Sequence, residues 1–252
     1  MNRVLVAYSG GIDSTLLLKI GTDQLGDNCI GVIAVSASLS KNEHKEALEM
    51  GQSIGAHLFE LDTDELNNTL YQQNDNKRCF YCKTELYQKL QTIAEEKDIK
   101  YILDGNNLDD TSDYRPGRQA AKNLGVRSPL IESGFTKEDI RVLAKHLNLS
   151  NWDKPAQPCL SSRIAYGVSV NKDILNKIDK AESYLKQQGF KVVRVRYFGE
   201  KTSVEVGVDE LDKLDSDTIK QKIYSEFNKI GFQNVDIDWD GYSSGKLNVI
   251  NN

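Results

Sequence analysis

The 252-residue sequence predicts an α/β protein, with a parallel, helix-covered sheet followed by a smaller α+β unit. Three observations lead there. Apolar runs at 4–7, 29–36, 57–61 and 101–105 alternate with helical patterns, as parallel βαβ units require. The first run passes directly into Ser9-Gly10-Gly11-Ile12-Asp13-Ser14, a glycine turn that opens an apolar helix. Beyond about residue 168 the pattern becomes helix, two strands, helix and strand, so the expected domains are 1–167 and 168–252.

Composition narrows the class. Hydrophobic residues at 39% and charged residues at 27% fit a soluble globular protein. No apolar run approaches the ~20 residues of a membrane span. The first strand begins almost at the N-terminus, which leaves no room for a leader, so a cytoplasmic protein is expected. The net charge of −5, with both signs mixed along the chain, makes nucleic acid an unfavoured partner. Four cysteines in such a chain point to metal binding or catalysis rather than to a disulfide framework.

The turn after the first strand has the makings of an anion site. Gly10 and Gly11 allow positive φ and close backbone approach, the following helix offers free N–H groups, and Ser9, Ser14 and Thr15 add hydroxyls. The Lys of a G-x-x-x-x-G-K-[ST] loop is missing, so ordinary γ-phosphate transfer is not expected. In parallel sheets ligands bind beyond the carboxyl ends of the strands, where Ser36, Gly105 and the loop 104–110 also fall. Asp109 and Asp110, with Asp13, are candidates for Mg²⁺ and phosphate contact, the alternative being a plain polar loop. Arg115 and Arg118 flank a Pro-Gly turn and could grip phosphate in a two-pronged way, Arg115 being the stronger candidate.

Cys79 and Cys82 form a C-x-x-C pair assigned to a loop after the third strand, and Cys159 lies in a proline-stiffened, polar stretch ending at Arg163. Such flanks favour a thiolate. The pair could be a redox couple or half of a zinc site, whereas three thiolates suit a [4Fe-4S] cluster with one iron open. Cys29, inside an apolar strand, reads as structural. Thr136 caps a helix running to about 147; later come helices at 171–188 and 209–230 and strands at 191–198, 202–208 and 234–239. Period-two alternation puts Arg194 and Arg196 on one strand face with Glu205 opposite, either a solvated salt-bridged face or a phosphate-binding one.

The Ser9–Ser14 string resembles the signature of the ATP pyrophosphatase (PP-loop) superfamily, which cleaves ATP between the α and β phosphates. Taken with Arg115-Pro116-Gly117, Gly125-Val126-Arg127-Ser128-Pro129-Leu130, Trp152-Asp153-Lys154-Pro155-Ala156 and Cys159-Leu160-Ser161-Ser162-Arg163, it resembles the LarE family of ATP-dependent sulfur transferases. The resemblance covers nearly the whole chain. It implies an adenine nucleotide alpha hydrolase-like domain, ATP and Mg²⁺ as cofactors, and adenylation of a carboxylate of pyridinium-3,5-biscarboxylic acid mononucleotide. Sulfur then displaces AMP to leave a thiocarboxylate in the making of the nickel-pincer nucleotide. In part of the family the cysteine matching Cys159 gives up its own sulfur. With Cys79 and Cys82 also present, this chain is similar instead to the three-cysteine members, in which a [4Fe-4S] cluster on Cys79, Cys82 and Cys159 carries the sulfide. The same resemblance implies substrate roles for Arg163, Arg194, Arg196 and Glu205, a homo-oligomer and a sulfide donor. The rivals are a tRNA thiolase, an amidating synthetase for which the thiols would be superfluous, and an ATP-sensing or iron-sulfur storage protein.

Overall fold

Alternation along Val4-Leu5-Val6 sends Leu5 to one side of a sheet and Val4 and Val6 to the other, so the first strand must be covered twice. The computed structural model, which describes residues 2–112, 116–243 and 245–247, has that arrangement. Strands β1 (Val4–Ala7), β2 (Cys29–Val35), β3 (His57–Asp62) and β4 (Tyr101–Leu103) form a parallel sheet in the order β3-β2-β1-β4. Helices α1 (Ile12–Leu25) and α2 (Lys41–Ser53) precede a short α3 (Thr69–Gln72) and the long α4 (Arg78–Glu96). After β4 come α5 (Pro116–Asn123), α6 (Pro129–Glu132) and α7 (Lys137–His146).

Leu5, Ile30 and Val32 pack with Leu86, Tyr87 and Leu90 of α4 on one face. Val4, Val6 and Ile33 pack with Leu17, Leu18 and Ala47 of α1 and α2 on the other. A third cluster joins Ile12 and Leu16 of α1 to Ile140 and Ala144 of α7. Because β2 and β4 lie on opposite sides of β1, the chain reverses its winding there, and the turn after β1 opens at that switch point.

The structure parts into two compact units, 1–71 with 76–157 and 72–75 with 158–252. The division lies upstream of the 167/168 position read from the sequence. Its cause is visible in the second unit. Asn74 donates its side-chain amide to the carbonyls of Ile164, Ala165 and Val168, and Ala165 N–H bonds to Tyr197 O, so the stretch after Pro158 is knitted into that unit. There α8 (Lys172–Gln187) covers a sheet of β5 (Val193–Tyr197), β6 (Lys201–Val206) and β7 (Asn234–Ile237), β5 and β6 antiparallel and β6 and β7 parallel.

Several local expectations change. The C-x-x-C pair is in the opening turns of α4 and not in a loop; no side chain caps that helix at Lys77, so the usual start signal is missing. The helix expected over 209–230 is two pieces, a 3₁₀ segment Val208–Asp215 and α9 (Asp217–Ile230). Glu210 accepts the N–H groups of Lys191 and Val192, which holds the first piece against the start of β5, and Ser216 is extended between the pieces. Asn171 caps α8 by accepting Ile174 N–H, and Thr136 and Asp139 form the capping box of α7.

Candidate functional site

In the first unit the turn between β1 and α1 is fixed by its own hydroxyls. Ser14 Oγ donates to Gly11 O at 3.0 Å and accepts from Ser9 N–H at 3.2 Å, leaving the Ser9 hydroxyl to donate to it at 3.1 Å. Gly10 has φ of 74°, and a Cβ there would stand 2.5 Å from Ala47 Cβ of α2, so only glycine fits. Gly105, after β4, presses on the first turn of α1 so closely that a Cβ would lie 2.7 Å from Ser14 N. The two strand ends at the switch point are therefore in contact through bare backbone.

Asp13 faces out of that first turn between two donors the sequence reading did not single out, Asn107 Nδ2 at 3.1 Å and Lys137 Nζ at 2.5 Å. Asp109 accepts Lys137 N–H at 2.8 Å and Asp110 accepts Asn107 N–H at 3.0 Å, so both carboxylates also shape the loop. Ser36 Oγ donates to Glu65 at 2.7 Å; this buried carboxylate also takes the hydroxyls of Ser38 and Thr63. Arg118 Nη1 donates to Asp110 O at 2.7 Å. Arg115 lies outside the described residues.

Cys79 is exposed and Cys82 half-buried, three residues apart on one helical face. Lys83 follows, its ammonium 5.6 Å from the centre of the Tyr87 ring. Its pKa is held above the ordinary lysine value by Tyr87, against the opposing effect of burial and with help from Cys82, Asp104 and Cys79. Tyr87 donates to Asp104 at 3.2 Å, and burial pushes its phenol up to about 12. Asp104, only 4% exposed, also takes Ser128 Oγ at 2.6 Å and Asn106 Nδ2 at 2.5 Å. A line of polar groups thus runs from the cysteine pair to the residue before Gly105. Beside it opens a cleft of about 780 Å³ lined by Phe80, Asn106, Arg118, Lys122 and Ser128.

The second unit carries Cys159, exposed, at the head of a 3₁₀ turn Leu160–Arg163. Arg163 is buried and grips Glu182 of α8 with two bonds of 3.0 Å, while its Nη1 donates to the carbonyls of Pro158 and Cys159. Glu182 also accepts Val195 N–H at 3.0 Å. Arg194 stands opposite Glu205 in the strand register, and Arg196 reaches the same carboxylate on the diagonal, Nε to Glu205 at 3.2 and 3.3 Å. Arg196 Nη1 reaches Ser162 O at 3.3 Å, and Arg194 stacks 4.8 Å from the Tyr242 ring. Burial, then the nearby charge of Arg163, pulls the Arg194 pKa down. This is not a solvated face: Arg194, Arg196 and Glu205 are all buried. Among the described residues no three His, Cys, Asp or Glu side chains gather as a metal site.

No family model matches the chain. An uncharacterized protein of Synechocystis is 42% identical over 250 residues, 99% of this chain and 93% of the relative. The pyridinium-3,5-bisthiocarboxylic acid mononucleotide synthase of Lactiplantibacillus plantarum is 35% identical over 249 residues, 98% of this chain and 90% of that protein. The chain belongs to that synthase family, LarE. A glutamine-hydrolyzing GMP synthase component from Archaeoglobus fulgidus is more distant, 24% identical across 86% of this chain and 80% of the relative. The parallel four-stranded sheet of the first unit is that of a PP-loop adenine nucleotide alpha hydrolase-like domain, and the chain is an ATP-using sulfurtransferase. No helix among the described residues is long and apolar enough to cross a membrane.

Proposed function

We propose that the chain adenylates a carboxylate of pyridinium-3,5-biscarboxylic acid mononucleotide and converts it to a thiocarboxylate. What supports this most is the 35% identity, along 98% of the chain, to a synthase of the corresponding bisthiocarboxylic acid mononucleotide. Ionised carboxylates resist nucleophiles, whereas an acyl adenylate carries a good leaving group, so ATP cleavage at the α phosphate is the activating step. In this reading Ser9, Gly10, Gly11 and Ser14 hold the departing pyrophosphate. Asp13, Asp109 and Asp110 are the oxygen donors for Mg²⁺, and Ser36, Gly105 and Arg115 complete the nucleotide site. The cations of the 780 Å³ cleft suit an anionic substrate. Arg194 and Arg196, the latter ion-paired with Glu205, serve the substrate phosphate, and Arg163 and Glu205 belong to the same substrate site.

Cys79, Cys82 and Cys159 are the sulfur ligands we assign to a [4Fe-4S] cluster. Their donor chemistry fits: three soft thiols, two of them one helical turn apart and none in a disulfide. When bound, the cluster would supply sulfide as the nucleophile. Cys159 acting as its own sulfur source is the second reading, favoured by its exposure on a polar turn. A homo-oligomer and an external sulfide donor complete the proposal.

The test is anaerobic purification with iron and sulfide analysis, followed by turnover on the pyridinium mononucleotide with ATP. Iron and sulfide near four per chain, more than one turnover and an unchanged protein mass are expected. Loss of one sulfur from the intact mass would replace the cluster by the sacrificial route. Salt-dependent tRNA binding without turnover would replace the substrate assignment.

A further inference from the structure

Asn151 has no part in the proposed chemistry, yet it lies directly under the glycine turn. It is 7% exposed, and its amide donates to Gly10 O at 3.1 Å and to Thr15 Oγ1 at 3.0 Å. Its carbonyl oxygen is buried and, among the described residues, has no hydrogen-bond partner. A buried acceptor without a donor is costly, so this amide is retained for its donor half.

The geometry of a trans peptide gives that donation a consequence. The C=O of Gly10 and the N–H of Gly11 belong to one planar unit and point in opposite directions, and none of the described peptide bonds is cis. With Gly10 O drawn down to Asn151, Gly11 N–H is turned outward, to the open side of the turn. Its acceptor there is Ser9 Oγ at 3.4 Å, longer than an ordinary N–H···O bond, so this donor is held ready and nearly unused. Apart from that long bond, the peptide itself offers nothing to hold its orientation: Gly10 has φ of 74° and no side chain, and Gly11 is a second glycine.

We propose that Asn151 is a positioning residue that aims the Gly11 N–H at the diphosphate of ATP, by anchoring the Gly10 carbonyl from beneath. The inference rests on the reading of Ser9–Ser14 as the pyrophosphate site. It specifies a diphosphate and not the nucleoside as the ligand that feels the residue.

Calorimetric titration of the full chain with inorganic pyrophosphate and, separately, with AMP tests it. Wild type should bind both; if it does not bind pyrophosphate, the reading of the turn fails before Asn151 is at issue. With Asn151→Ala the pyrophosphate Kd should rise about tenfold, the loss of one oriented donor, and the AMP Kd should stay within about twofold. Equal pyrophosphate affinity in variant and wild type, or an equal loss for both ligands, overturns the positioning role. Should the variant not fold, ¹⁵N-glycine labelling of the wild type decides. The Gly11 amide should show the largest pyrophosphate-induced shift among the glycines, and an unmoved Gly11 signal overturns the proposal.

Discussion

Arg163 and Glu182 meet in a two-pronged ion pair, Nε to Oε1 and Nη2 to Oε2 both at 3.0 Å, on side chains that are almost wholly buried. The same guanidinium holds the carbonyl of Cys159 at 3.0 Å. Whatever Arg163 does for the substrate, it carries the cysteine turn on α8. Breaking one side of such a pair strands a buried charge, which costs about 3–5 kcal/mol. Arg163→Met should therefore lower the urea midpoint of unfolding by that equivalent. The double variant Arg163→Met/Glu182→Leu should recover much of the loss, and equal stability of the single variant and wild type would contradict the pairing.

The two backbone contacts at the switch point predict sharp effects from single methyl groups. In Gly10→Ala the added Cβ meets Ala47 and the residue must keep a positive φ; in Gly105→Ala it meets the backbone of Ser14. Each should reduce ATP-dependent pyrophosphate release at least ~10-fold, given about 1–2 kcal/mol for the φ strain alone in the first case. Far-UV circular dichroism should stay unchanged. A Gly105→Ala protein with wild-type pyrophosphate release would show that the two loops need not touch.

Lys137 Nζ is 2.5 Å from Asp13, on a pair that is partly open to solvent. Lys137→Ala should leave the melting temperature within a few degrees, since half-exposed pairs contribute only about 0–1 kcal/mol. The KM for ATP should change more than kcat, because Asp13 would lose one of the two donors that orient it. A change confined to stability would remove Lys137 from the nucleotide site.

Burial sets an alkaline limit. The Cys29 thiol is pushed up from 9.0 to about 11, and the Tyr8 and Tyr87 phenols from 10.0 to about 12. Each group holds its proton more tightly folded than unfolded, so its contribution is intact below the unfolded pKa and is lost as pH rises through the folded one. Urea midpoints should be flat up to about pH 9 and fall steadily to pH 12, by about 1.4 kcal/mol per pH unit for each group in its window. Cys29→Ala should remove the decline between pH 9 and 10 and leave the later one. A midpoint rising with pH in this range would reverse the sign and the assignment.

The same burial orders thiol reactivity. At pH 8 iodoacetamide should modify Cys159 and Cys79 first, Cys82 more slowly and Cys29 only on unfolding, as peptide mass spectrometry would record. Early labelling of Cys29 would contradict its place inside β2.

The sheet could be read from the chain because β1 and β2 are continuous apolar runs and the strand patterns of β3 and β4 recur between helical stretches, as parallel βαβ units require. The glycine turn could be read because the positive φ of Gly10 and the hydroxyl of Ser14 are demanded locally, within one turn. The start of α4 could not, for want of a cap at Lys77, and the 209–230 helix was overdrawn because the partners of Glu210 are the distant amides of Lys191 and Val192. Asn151, Lys137 and Glu65 stayed hidden for the same reason. Each acts on a segment far away along the chain, and nothing in its neighbours marks it.

What the amino-acid sequence determined by itself is the parallel α/β class, the glycine turn at the end of β1 and the three thiols set in polar surroundings. These depend on periodicity and on chemistry carried by adjacent residues. Tertiary structure alone decided that Arg196 reaches diagonally across the strands to Glu205, that Arg163 is committed to Glu182 and the Cys159 carbonyl, and that Gly105 touches Ser14. Those are distances between segments, and distances between segments are set by packing, which the local pattern of a chain does not encode.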